Sequence, residues 1–232
     1  MKASELIAEA RAAKRAALDE LSGKRLLASF GVAVPRSLFV QDATEAAAAC
    51  SNLKAPLVLK VVSPDILHKS DAGGVKVGLA RAAEVEDAVR AMMKRPAIES
   101  ARIDGFLLEE MAPAGLEVVV GGLRDPQFGP LVMVGLGGIF VEVFADVAFR
   151  ICPVTRFDAE EMIDELKGAA MLKGARGTKP VSREAIVETL LKVGGEHGLL
   201  MRHADDIREA DINPLIVSET GAVAVDARFI LT

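Results

Sequence analysis

Apolar and polar positions change their spacing several times along the chain, and each change marks an element. Residues 4–20 carry helix formers throughout with Ser4 placed as an N-cap, and a second helical stretch over 24–30 is closed by Gly31 and Pro35. A strand over 37–40, an alanine-rich helix over 44–50 and an apolar strand over 56–62 follow. A strand over 75–79 then precedes a helix whose inner face is marked by Val85, Val89, Met92 and Met93. This half alternates strand and helix.

The second half is patterned differently. Strands over 103–111 and 116–121 flank a turn at 112–115, a third runs over 131–134, and 139–151 is mostly apolar with Asp146 inside it. One helix is expected to be capped by Asp158 with Glu161 at capping-box spacing; another opens at Ser182 with Ile186, Leu190 and Val193 on its inner side. The loop 168–180, GAAMLKGARGTKP, reads as the most mobile piece, and the chain ends in a hairpin. Strands and helices mix without a strict repeat, which predicts an α+β fold of two subdomains, 1–110 and 111–232, meeting near Glu110.

The terminal hairpin carries the first chemistry. Asp211 and Asn213 are two apart on a strand and share a face, while Ile212 and Ile216 are expected on the other. A four-residue connection over 218–221 sets Asn213 opposite Asp226 and Asp211 opposite Arg228, with Val223 and Val225 on the apolar face. Cross-strand Cβ atoms lie roughly 4.5–5.5 Å apart, a separation that lets two oxygen ligands share a magnesium ion. An exposed polar face with a surface Asp–Arg pair would look the same, and Pro214 fits an edge strand or a strand beside an open site.

The stretch LKVVSPDILHKSDAGGV supplies the basic counterpart. Lys60 interrupts the apolar run 57–62, so its ammonium needs a partner, an opening, or a stem long enough to snorkel to water. Eight to fourteen residues further on, His68, Lys69, Gly73 and Gly74 form a loop suited to phosphate: lysine for charge, glycine amides for a concave anion site, and an imidazole able to carry a phosphoryl group. A tight turn would use the same glycine pair. His197 and His203 lie in a polar connection with no motif around them and are expected at the surface. In FLLEEMAPAGLEVVVGG, the crossing at Glu110, Met111 and Glu117 could present backbone groups to an adenine edge and a thioether to its ring, or could simply end an exposed strand. The glycine-rich GLGGIF lacks the patterns of a phosphate loop.

Composition narrows the classes. At 232 residues and 51% hydrophobic content the chain can fill a real core, and 28 basic against 33 acidic residues with no Trp or Tyr argues against nucleic-acid binding. Two cysteines, Cys50 and Cys152, are too few for a disulfide framework, neither looks catalytic, and no apolar run approaches a membrane span. A cytoplasmic protein without a membrane partner is expected.

The order LLASFGVAVP, VLKVVSPDILHKSDAGGVKVGL, LLEEM, GLGGIFVEV, DINPL and VDAR resembles the ATP-grasp domain of ADP-forming acyl-CoA synthetases, specifically the separate beta subunit of acetate–CoA ligase, over about residues 21–230. The resemblance implies an ATP-grasp fold with nucleotide in a cleft between two α/β subdomains, ATP or ADP as substrate, and Mg2+. It further implies that Lys60 contacts phosphates, Glu110 and Met111 lie at the adenine hinge, and Glu117 lies near the ribose. Asn213 and Asp226 would bind magnesium with Asp211 as helper, and His68 would relay phosphate to and from a CoA-binding alpha subunit, in an α2β2 assembly. The family's CoA-binding domain is missing from the chain, so alone it is expected to be catalytically incomplete. A self-sufficient ATP-grasp ligase and a non-catalytic nucleotide-sensing module are the rival readings.

Overall fold

Val85, Ala88, Val89 and Met92 recur at three- and four-residue spacing and are all buried, while Met93, expected among them, is exposed. Their helix is one of those in the computed structural model, which describes residues 2–66, 68–138, 141, 145–174 and 179–232. The first part of the chain runs α1 (Ala3–Ala12), α2 (Glu20–Ser29), β1 (Ser37–Val40), α3 (Ala43–Ala49), β2 (Leu57–Val62), β3 (Val75–Leu79), α4 (Ala82–Met93), α5 (Pro96–Glu99) and β4 (Gly105–Glu110). After it come β5 (Leu116–Asp125), β6 (Gly129–Leu136), β7 (Val147–Ile151), α6 (Arg156–Asp164), α7 (Arg183–Gly194), α8 (Leu199–Arg202), β8 (Ile207–Val217), β9 (Ala222–Ala224) and β10 (Arg228–Leu231).

The chain divides into two compact units: Pro35–Ala112, and a second made of Met1–Val34 together with Pro113–Thr232. The division thus falls after Ala112 and also after Val34, which places residues 1–34 with the C-terminal half. The reason is hydrogen bonding and burial: Leu18 N–H donates to Phe229 O at 2.9 Å, Leu231 N–H to Ala16 O at 2.8 Å, and Ala224 N–H to Ala33 O at 2.8 Å. Leu6, Ile7, Leu26 and Leu27 join the core of that unit, so the N-terminal arm covers the β10 edge. The single helix expected over 4–20 stops at Ala12, where Lys14 turns the chain with φ 54°, and Asp19 accepts the Ser22 amide at 2.9 Å to start α2 afresh.

In Pro35–Ala112 the antiparallel sheet has order β1-β4-β2-β3. Leu57, Leu59 and Val61 of β2 and Phe106 and Leu108 of β4 form one core with Ala46, Val85 and Val89 of the helices. By alternation Val58, Lys60, Leu107 and Glu109 turn to the opposite face. The larger unit carries a sheet of order β10-β8-β5-β6-β7, with β9 pairing β8. Val118, Val120, Val132 and Val134 pack on one side of it with Met162, Ile163, Ile186, Leu190 and Val193.

Two local expectations are corrected. Thr155, not Asp158, caps α6: its hydroxyl accepts the Asp158 amide at 3.2 Å, and Asp158 reciprocates to Thr155 N–H at 2.8 Å. In the hairpin, Ala210 and Ile212 are buried on β8, but so are Leu215 and Val217, while Ile216 is only half-buried. The β5–β8 register shifts by one at this point, so the inward face changes parity across Asn213–Pro214. Ala224 and Ala227 accordingly take the buried positions, and Val223 and Val225 do not. Of the apolar stretch 139–151, Ile139, Phe140 and residues 142–144 lie outside the described residues, and Asp146 is buried with its carboxylate accepting the Lys167 and Gly168 amides at 2.7 and 2.8 Å. In the loop 168–180, Ala169–Lys173 form a 3-10 turn with Leu172 buried, and residues 175–178 lie outside the description.

Candidate functional site

Lys60 finds a carboxylate. Its Nζ lies 2.9 Å from Glu109 Oε2, and the two side chains are 8% and 2% exposed. The antiparallel register places Lys60 beside Leu107 and Val58 beside Glu109, so the two charges sit diagonally on the face turned away from α3 and α4. Lys60 also pairs with Val75, the residue after the glycine pair, so the basic strand position and the loop are adjacent in the sheet. Glu109 was not singled out from the sequence. The only signal for it is the parity it shares with Leu107, which points at Lys60 once the β2–β4 register is known.

The loop at 68–74 is built differently from expectation. The Ala72, Gly73 and Gly74 amides donate within the loop, to the carbonyls of His68, Ser70 and Lys69 at 3.2, 3.0 and 2.7 Å. The glycine amides are thus occupied, and the glycines contribute space instead. A Cβ on Gly74 would stand 2.4 Å from Val61 Cγ1, and Gly73 has φ +69°. His68 is exposed and Lys69 half-buried, so any anion here meets side-chain donors.

At the crossing, Glu110 and Met111 do not offer their amides: Glu110 N–H donates to Arg36 O and Met111 N–H to Pro56 O, both at 2.9 Å. The Glu110 carboxylate accepts the Lys54 amide at 2.9 Å, and the Met111 side chain is exposed. The expected donors for an adenine edge are therefore committed at these two residues. Pro113 has no N–H, which leaves Ala112 as the crossing amide without a hydrogen bond among the described residues.

The oxygen-bearing face lies in the larger unit. Asp211 pairs with Arg228, as the sequence predicted, and Leu215 pairs with Ala224. Asn213 and Asp226 are the residues two positions inward from both ladders, in the short gap between β9 and β10. The Asp211 carboxyl is pushed above its ordinary pKa, first by desolvation and then by repulsion from Asp226, against the pull of Arg228. Asp211 as a residue is exposed, yet its carboxyl is crowded enough for desolvation to dominate. Two carboxylates that repel each other beside an amide oxygen form an all-oxygen set that fits a hard divalent cation such as Mg2+. Among the described residues no group of three or more His, Cys, Asp or Glu could hold a metal. Glu117 stands on the same side of the larger sheet, four residues along β5 from Gly121, the partner of Asp211, roughly 13 Å away at the rise of a strand.

The other sequence candidates fall outside these groups. His197 is exposed, but His203 is not a surface residue: its ring packs edge-on to Phe30 at 5.9 Å and Nδ1 lies 3.0 Å from Asp206. Cys152 is buried and its thiol is pushed up to about 12 by desolvation, which makes it unreactive.

Comparison with known proteins gives the same outline. A family model described as an ATP-grasp domain matches residues 9–231. The beta subunit of an ADP-forming acetate–CoA ligase from Pyrococcus furiosus is 45% identical over 232 residues, covering 99% of this chain and 98% of that one. A single-chain ADP-forming acetate–CoA ligase from Archaeoglobus fulgidus is 41% identical over 211 residues, 90% of this chain but 30% of the longer one. A solved acetyl-coenzyme A synthetase from Ca. Korarchaeum cryptofilum, complexed with coenzyme A and Ca-AMPCP, superposes with TM-score 0.92 at 41% identity, both chains covered fully. The same protein with Mg-AMPPCP, its phosphohistidine segment pointing towards the nucleotide site, gives TM-score 0.85 at 41% identity, again with both chains covered fully.

Proposed function

We propose, from the premise that this chain belongs to the ATP-grasp family that includes the beta subunits of ADP-forming acetate–CoA ligases, that it is the nucleotide-handling subunit of an acyl-CoA synthetase. The overall reaction is acyl-CoA + ADP + phosphate ⇌ carboxylate + CoA + ATP. A CoA-binding alpha subunit supplies the acyl chemistry, in an α2β2 assembly in the cytoplasm. The single-chain relatives, of which this chain matches about a third, support a partner that carries the rest. The observation that supports the reading is the exposed face of β8 that carries Asp211 and Asn213, with the charge of Asp226 close enough to act on Asp211.

Each residue then has a physical task. Asp226 and Asn213, with Asp211 beside them, would hold Mg2+, which offsets the charge of a transferring phosphoryl group when bound. Lys60 supplies a positive charge, oriented by Glu109. In the ATP-forming direction an unprotonated ring nitrogen of His68 attacks the phosphorus of the partner's phosphohistidine; the old P–N bond breaks and its electron pair returns to the partner imidazole. An ADP oxygen then attacks the phosphorus on His68, releasing that imidazole with its lone pair restored. Lys69 neutralises phosphate charge near the relay, Met111 lies against the adenine, and Glu117 accepts from the ribose.

Calorimetry tests the metal face directly. Asp226→Ala should weaken Mg-ADP binding at least tenfold and metal-free ADP binding little; equal losses would remove the metal assignment. The relay is tested with the alpha partner and labelled ATP. Wild type should acquire acid-labile, base-stable label that His68→Asn lacks, and near-normal acyl-CoA synthesis by His68→Asn would defeat the relay.

A further inference from the structure

We infer that Arg95 is a phosphoryl-binding residue of the 68–74 loop, supplying the donors that the glycine amides do not. The inference starts from a conflict inside the loop. Three basic or glycine-rich features mark it as an anion site, yet the Ala72, Gly73 and Gly74 amides are all spent on loop carbonyls. A site with its amides turned inward has to bind through side chains.

Arg95 stands where such a side chain is needed. It caps α5 at the corner that follows α4, 22 positions along the chain from Gly73. Its Nε, Cζ and Cδ lie 3.3, 3.4 and 3.5 Å from the point where a Gly73 Cβ would be. Three successive atoms of one planar group at nearly equal distance from a single point mean that the plane faces that point. The guanidinium therefore lies flat across the glycine. Stacked in this way it keeps its in-plane N–H edge, the edge that matches two oxygens of a phosphoryl group, turned away from the backbone it rests on.

Two further facts favour a ligand over a structural brace. Among the described residues no carboxylate lies within ion-pair distance of Arg95, Asp71 in the loop included, although most other arginines in the chain have such a partner. Gly73 also has φ +69°, a conformation that side chains rarely adopt, and its bare face is what allows the guanidinium to settle there. The ligand class is a phosphoryl group with at least two anionic oxygens. It can come from two sources, a free phosphate or nucleotide, or a phosphoryl group carried on His68.

The inference rests on the proposed nucleotide function, and the test separates the two. Purified full-length chain, as wild type, Arg95→Gln and Arg95→Lys, is titrated with Mg-ADP and with inorganic phosphate at two salt concentrations. In a parallel arm each protein is phosphorylated on histidine with phosphoramidate, which needs no partner, and the lifetime of phospho-His68 is followed by 31P NMR. Arg95→Gln is expected to lose about tenfold in phosphate or Mg-ADP affinity, or in phospho-His68 lifetime, with the melting temperature unchanged. The first pattern assigns the ligand to free phosphate or nucleotide, and the second to the His68-borne group. Arg95→Lys should recover only part of the loss, since it keeps charge but not the flat fork. Wild-type values in both arms for Arg95→Gln overturn the inference, as does a lowered melting temperature with unchanged binding and lifetime. A wild-type chain that binds no Mg-ADP would instead overturn the function on which it rests.

Discussion

Lys60 changes meaning once its neighbour is known. As a lone cation in an apolar strand it could be replaced by Met with little harm to folding, but the structure pairs it with Glu109, and both side chains are buried. Lys60→Met leaves a buried carboxylate without that ammonium, which costs about 3–5 kcal/mol. Lys60→Met/Glu109→Leu should recover most of the stability in urea melts while still lacking affinity for ADP phosphates. If the single variant is as stable as wild type, the pair is not a buried couple. Asp211 yields a pH prediction. Its folded pKa is raised above the ordinary 3.8, so the folded state keeps a proton that the unfolded chain has already lost. Stability tied to this group is present below the ordinary aspartate range and lost as pH rises through the raised value. Asp211→Asn removes that loss. Without metal it should melt higher than wild type at neutral pH, the gap closing as pH falls below about 4, and thermal melts in EDTA from acid to neutral pH check it.

At the scale of the element, termini and turns decide more than apolar periodicity does. The Thr155–Asp158 box starts α6. Thr155→Ala should cost about 1 kcal/mol, read as a melting temperature lower by roughly 2–4 °C, and no effect on ADP binding is expected. The loop between β2 and β3 is more sensitive. A methyl on Gly74 meets Val61 at 2.4 Å, so Gly74→Ala should destabilise by about 1–3 kcal/mol. The companion change Val61→Ala should relieve much of this, and a failure of that rescue would show that the glycine serves something other than close packing. Strand positions were legible because alternation is local: β1 and β3 fall where the pattern put them. The start of α2 was missed because helix-forming residues run through the break, and only Asp19 interrupts them.

For the whole molecule, ligand binding is the quantity that joins structure to function. A chain that binds Mg-ADP only when folded gains about 2.7 kcal/mol at a hundredfold excess over Kd, which for this length is a shift of roughly 5–10 °C in melting temperature. Most of the shift should vanish in EDTA. Alone the chain should show no acyl-CoA synthesis, and activity should appear on adding a CoA-binding alpha subunit. Acid-dependent ATP turnover by the isolated chain would favour a self-sufficient ligase in its place.

The sequence by itself determined the positions of β1, β3 and most of the longer elements, the α+β class, the apolar face of α7 and most of that of α4, and the pairing of Asp211 with Arg228. All of these follow from local periodicity and from a short connection whose length sets the register. It also marked the basic loop and the acidic hairpin, because charges in apolar strands and glycine pairs stand out against their neighbours. Tertiary structure alone decided what those residues touch. It assigned Glu109 to Lys60, laid Arg95 across Gly73, spent the glycine amides inside their own loop, and packed His203 edge-on to Phe30. It also flipped the parity of β8 across Asn213–Pro214 and joined residues 1–34 to the C-terminal half. These contacts link residues that are distant in sequence or depend on a one-residue shift of register. Nothing in the spacing of side chains along a chain records where a distant strand or arm comes to rest.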